Sequence, residues 1–135
     1  SESAFFALPE TKFGMVPDLG GTVRLAQVVG PAKATEIILA AQTFDAPTAL
    51  QYGLVNRVVS KGTALSAAQD LADAIQKNSP AANRETLQVL RQIHRHSETE
   101  CLDLETRAGA QALLSLEVME GVQAFMEKRA PRWNT

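Results

Sequence analysis

The sequence holds a single cysteine, Cys101, so no internal disulfide can brace the fold. That usage suits a reducing, cytoplasmic setting. Aromatic residues make up 5% of the chain, which leaves Ala, Leu, Val and Ile to build the core. Charge of neither sign dominates: 13 Lys and Arg face 15 Asp and Glu, for a net charge of −2. This balance gives no electrostatic case for nucleic acid or an anionic membrane as partner. No apolar run approaches the ~20 residues needed to cross a bilayer, and no signal-peptide pattern is visible. There is no P-loop, no G-x-G-x-x-G and no zinc spacing. His94 and His96 stand two apart on a predicted helix, point different ways and cannot share a metal. Internal repeats and low-complexity tracts are missing too.

What is present is a chain of 135 residues, 45% hydrophobic, of single-domain size. Its chemistry concentrates in one stretch, Leu8 to Thr22. Glu10 and Asp18 lie there eight residues apart, among Phe13, Met15, Val16 and Leu19, with two prolines and three glycines forcing turns. An apolar wall disfavours a charged carboxylate and raises its pKa toward neutrality. A carboxyl poised near neutrality can take and give a proton, and two in unlike surroundings can divide acid and base roles. The residue types alone favour a plainer reading, with Glu10 as a first-turn helix acid and Asp18 as a turn former.

Most of the rest reads as amphipathic helix. Ala4 to Leu8 is a short apolar run that Pro9 ends, predicting a brief strand. A helix is predicted from Thr22 to Val29 with Thr22 as N-cap, and Arg24 in an internal ion pair. Gly30 closes that helix and Pro31 opens the next, which runs to about Ala41. Asp45 caps a short helix from Ala46 to Tyr52, ended by Gly53. Leu54 to Val59 is short and rich in β-branched residues, predicting a strand. Leu65, Ala68, Ala72 and Ile75 form one helical face over 64–77. Ser79 caps a helix beginning at Pro80 and reaching about His96. Ser97-Glu98-Thr99-Glu100 is a capping box for a helix to about Leu114. Ser115 caps the last helix, which carries Val118, Val122 and Phe125 and stops before Pro131.

The run L-P-E-T-K-F-G-M-V-P-D-L-G-G-T-V-R-L, followed by V-V-G-P-A-K-A, resembles the enoyl-CoA hydratase/isomerase (crotonase) family. Tyr52-Gly53-Leu54-Val55-Asn56-Arg57-Val58-Val59, with Phe44 to Ala49 before it, is similar to that family's A-x-x-G-L-V segment. Glu120 to Arg129 is similar to its closing E-G-x-x-A-F-x-E-K-R. These motifs occur in the family's order and span essentially the whole chain.

The resemblance is to the carboxy-terminal half of the family. It implies a helix-rich α/β fold, the carboxy-terminal part of a ββα-spiral with its trimerisation helices. Residues 1–62 would end the spiral core and carry the active-site loop; 63–135 would form the helical oligomerisation region. A missing amino-terminal half would supply most of the spiral, the oxyanion-hole N–H groups and a first catalytic Glu, so the chain is expected to be a fragment, inactive alone. Glu10 falls on the family's second catalytic Glu. Asp18 falls where many hydratases have Gly and where dienoyl-CoA isomerases carry a catalytic acid, which leans toward isomerisation with hydration as the rival. Pro17, Leu19, Phe125 and Lys128 would be substrate-binding, the last two near the tail that in some members reaches a neighbour's CoA. The substrate implied is an acyl-CoA, with no further cofactor and no metal. The partners implied are the missing half and further copies, as a trimer or hexamer. The competing expectation is a non-catalytic helical assembly module that lacks an oxyanion hole.

Overall fold

The computed structural model describes residues 1–133. They divide into two compact units, Ser1–Ala68 and the remainder from Gln69 onwards.

The first unit opens with strand β1, Phe5–Phe6, which pairs antiparallel with β2, Phe44–Asp45, in the register Phe5 to Asp45 and Phe6 to Phe44. Between them come a 3₁₀ turn at Glu10–Phe13, helix α1 at Gly21–Val29 and helix α2 at Pro31–Ala40. Helix α3, Ala46–Gln51, follows β2 directly. Asp45 caps it as its position predicts, accepting from the Thr48 N–H at 3.0 Å. Leu25, Ala34, Ile37, Ile38, Phe44 and Ala49 form the buried cluster. The scarce aromatics are concentrated here: Phe44 stacks on Phe6 at 5.7 Å and meets Tyr52 at 5.6 Å. Helix α4, Ala64–Gln76, crosses from this unit into the next and buries none of its residues. Its predicted apolar face is present, but Leu65 remains 72% exposed.

The second unit continues with α5 at Pro80–Leu90, α6 at Glu98–Leu113 and α7 at Glu117–Met126. The α5 and α6 starts follow the sequence. Ser79 accepts from the Ala82 N–H with Pro80 in the first turn, and Ser97 and Glu100 close a reciprocal capping box.

Several local expectations are corrected. Leu54 to Val59 is not a strand. The N–H groups of Leu54 and Val55 both turn back to the Ala49 carbonyl, and the Val59 carbonyl accepts from Glu2 N–H. β-Branched residues favour an extended backbone, but a strand also needs a ladder partner along its length. Helix α1 is preceded by Gly20 at φ 92, not capped by Thr22. The Thr22 hydroxyl donates instead to the Pro17 carbonyl at 2.8 Å. Among the described residues Arg24 forms no ion pair. It folds back over Gly20, where an added Cβ would lie 2.9 Å from its Nε. Helix α5 ends at Leu90, six residues short of His96, and turns carry the chain to the Ser97 cap. Ser115 does not cap α7; its hydroxyl donates to the Ala112 carbonyl at 2.6 Å and closes the end of α6.

Candidate active-site loop

The stretch from Leu8 to Thr22 folds as two consecutive tight turns. In the first, the Pro9 carbonyl accepts from the Lys12 N–H at 3.0 Å, and Gly14 at φ 72 returns its N–H to the Thr11 carbonyl at 3.2 Å. Gly14 meets the need for a left-handed residue without a Cβ clash. In the second, the Asp18 carbonyl accepts from the Gly21 N–H at 2.8 Å, with Leu19 at φ 50 and Gly20 at φ 92 between them. Two central residues at positive φ make a mirror-image turn, which Gly tolerates and Leu does not. Leu19 therefore carries backbone strain, of a kind that costs roughly 1–3 kcal/mol and gathers at functional loops.

The loop closes on itself at Gly21. A Cβ there would lie 3.1 Å from Pro17 Cβ and 3.2 Å from Leu8 Cδ2. Leu8 is two residues before Glu10, and Pro17 immediately precedes Asp18. The absence of a side chain at Gly21 thus lets the two acid-bearing stretches converge.

Their carboxylates meet different surroundings. Glu10 is half-buried, and its Oε2 is shielded from solvent without a hydrogen-bond partner. Asp18 is exposed. Pro17, the preceding residue, is buried, and Leu19 projects at 91% exposure. Phe13, Met15 and Val16 are also exposed, at 71%, 56% and 75%. The apolar residues expected to wall in both acids thus lie largely open within this chain.

The remaining site expectations fall in the second unit. Phe125 is 85% exposed, and Lys128 follows at φ 54 with its N–H bonded to the Phe125 carbonyl at 3.2 Å. Their neighbours in the same motif have internal tasks. Glu120 takes Arg129 in a two-pronged pair at 2.6 and 3.1 Å and also accepts the Arg132 N–H at 2.6 Å. The Arg129 guanidinium holds the Glu120 carboxyl down at a pKa of about 2. Gly121 leaves room for the Trp133 ring, whose Nε1 donates to the Lys77 carbonyl at 2.8 Å. This clip escaped sequence reading, because a Glu and an Arg nine residues apart follow no helical or strand period. Among the described residues no cluster of His, Cys, Asp or Glu could hold a metal, and no helix is long and apolar enough to cross a membrane.

The family model for enoyl-CoA hydratase/isomerase matches residues 1–135. The chain belongs to the enoyl-CoA hydratase/isomerase family. It is 38% identical, over 98% of its length, to the carnitinyl-CoA dehydratases of Salmonella typhi and Citrobacter koseri, covering 52% of each. Among solved structures it matches an enoyl-CoA hydratase from Bacillus anthracis at TM-score 0.93 and 32% identity, over 98% of this chain and 51% of that one. It matches another from Mycobacterium tuberculosis at TM-score 0.91 and 33% identity, covering 53% of that chain. The fold is therefore crotonase-like and helix-rich with a small sheet. The chain spans about half the length of the curated relatives it matches.

Proposed function

We propose that this chain is the carboxy-terminal half of an acyl-CoA-processing enzyme and carries its proton-transferring carboxylate, Glu10. The observation that supports this most directly is Glu10 Oε2, shielded from water yet without a partner. A buried acceptor left unpaired is costly, and the cost is tolerated where a substrate or reacting water supplies the missing contact.

In the assembled enzyme the thioester carbonyl lies in an oxyanion hole furnished by the part of the fold outside this half. There an enolate-like state is stabilised as charge develops on oxygen. Glu10 moves a proton at the acyl chain, and Asp18 is the second carboxylate or orients the substrate. Pro17 and Leu19 line its path, and Phe125 and Lys128 serve the CoA of a neighbouring copy in the assembly. In isomerisation a proton leaves one carbon and returns two carbons along as the double bond shifts. In hydration the hydroxyl joins the β-carbon and the proton the α-carbon. Asp18 favours isomerisation, whereas the dehydratase names of the curated relatives favour addition or loss of water. Neither reaction calls for a metal or a cofactor beyond acyl-CoA itself. The exposed apolar residues of α7, Met119, Val122 and Phe125 among them, support assembly as a trimer or hexamer. A lone cysteine is consistent with the cytoplasm.

The test is turnover of a 2-enoyl-CoA by the complete enzyme containing this sequence, followed as loss of the conjugated-thioester absorbance. Glu10→Gln should lower kcat by about 10²–10⁴-fold, the usual contribution of a positioned acid or base. Wild-type turnover in Glu10→Gln would overturn the reading. A non-catalytic assembly module, the other possibility, requires no turnover by the wild-type enzyme either.

A further inference from the structure

Glu10 is placed by its neighbours, because its buried Oε2 makes no hydrogen bond that could orient it. The adjoining Thr11 provides the tether. Its half-buried hydroxyl donates to the Ile38 carbonyl at 2.8 Å, across 27 residues of sequence. Ile38 is 7% exposed and belongs to the buried cluster of the first unit, so the accepting end is fixed in the core. Among the described residues, no other side-chain hydrogen bond links the turn at Glu10–Phe13 to the helices. The turn's remaining hydrogen bonds are its own: Lys12 to Pro9, Gly14 to Thr11 and Met15 to Glu10. A 3₁₀ turn of one winding has little rigidity alone. Thr22 plays a different part, since its hydroxyl reaches only Pro17 within the same loop.

We propose that Thr11 is a positioning residue for Glu10. Its hydroxyl fastens the turn to the carboxy-terminal end of α2 and so sets the direction from which the carboxylate addresses the acyl chain. This rests on Glu10 as the proton-transferring group. Misplacing such a group by about an ångström lowers rate by up to ~10²-fold without disturbing binding contacts elsewhere.

Two readouts test it. Both use the complete enzyme. The first is hydrogen exchange of the Met15 amide, which donates to the Glu10 carbonyl, in wild type, Thr11→Val and Thr11→Ser. Valine keeps the shape and removes the donor; serine keeps the donor. Met15 exchange should quicken in Thr11→Val and return toward wild type in Thr11→Ser. Identical exchange in wild type and Thr11→Val would overturn the proposal. If Thr11→Val does not fold, Thr11→Ala, which also removes the donor, takes its place with the same two outcomes. The second readout is turnover in the complete enzyme. Thr11→Val should lower kcat by about ten- to a hundredfold with KM changed less than about twofold, and Thr11→Ser should recover most of it. Unchanged kcat in Thr11→Val beside an inactive Glu10→Gln would sink the positioning role while leaving Glu10 as the catalytic acid. Activity persisting in Glu10→Gln would instead remove the functional reading, while Met15 exchange still decides whether Thr11 holds the turn.

Discussion

Glu117 in α7 completes the start of α5: its Oε2 accepts from the Ser79 hydroxyl at 2.5 Å and from the Ala81 N–H at 3.1 Å. Ser79 in turn accepts from the Ala82 N–H at 2.9 Å. Two of the N–H groups that a helix leaves unpaired at its beginning are thereby satisfied, one by a neighbour in sequence and one from 36 residues away. Ser79→Ala should lower stability by ~1 kcal/mol, the usual cost of losing such a cap. Urea denaturation of the two proteins measures it, and an unchanged midpoint would show that the cap carries no weight here.

Glycines at two positions should respond in opposite directions to alanine. At Gly21 a Cβ would press on Pro17 and Leu8 at 3.1 and 3.2 Å, so Gly21→Ala should overpack the loop and cost roughly 1–3 kcal/mol. Gly109 lies inside α6 with nothing within 4 Å of its would-be Cβ. Gly109→Ala should stabilise by about 0.5–1 kcal/mol through helix propensity. Thermal melts of both variants settle the pair, and a stabilising Gly21→Ala would contradict the tight closure of the loop.

The clip at Glu120 predicts acid sensitivity. Arg129 and the Arg132 N–H lower the Glu120 pKa from its ordinary 4.5 to about 2. A carboxyl depressed in the folded state stabilises the fold above its unfolded value. That contribution is lost as pH falls from about 4.5 through about 2. Melting temperature should decline across this window, and Glu120→Gln should flatten the decline while lowering stability at pH 7. The single tryptophan, Trp133, packs beside Gly121 in the same clip, so its fluorescence should report the release. A wild-type decline that is equally steep in Glu120→Gln would place the sensitivity elsewhere.

Leu116, Met119 and Phe125 leave 82%, 73% and 85% of their surface in water. An exposed apolar patch of this kind favours association. Sedimentation of the isolated chain should show self-association, and Leu116→Gln with Phe125→Ser should shift it toward monomer. A wild-type monomer at high concentration would count against an assembly face on α7.

Asp18→Asn tests whether this carboxylate takes part in isomerisation. In the complete enzyme, Asp18→Asn keeps the backbone turn, which uses the Asp18 carbonyl, and removes only the charge. Double-bond isomerisation should fall by about 10²-fold or more if the carboxylate moves a proton. Isomerisation at wild-type rate, alongside an inactive Glu10→Gln, would remove Asp18 from the mechanism.

Read from the sequence alone, the punctuation of the helices was legible because it is local chemistry. Asp45, Ser79 and Ser97 each reach an N–H three residues on, Gly30 takes a left-handed φ, and Pro31 and Pro80 sit where a missing N–H does no harm. The motifs around Glu10, Gly53 and Glu120 pointed to the family on the same footing, since a motif is a string of neighbours.

Tertiary structure decided whatever depended on distant partners. Leu54 to Val59 had the composition of a strand and lacked a ladder; Thr22 had the side chain of a cap and spent it on Pro17. The shielding of Glu10 Oε2, its neighbour's bond to Ile38 and the pairing of Glu120 with Arg129 follow no sequence period. They exist because chain folding brings together groups whose separation along the backbone carries no signal of their meeting.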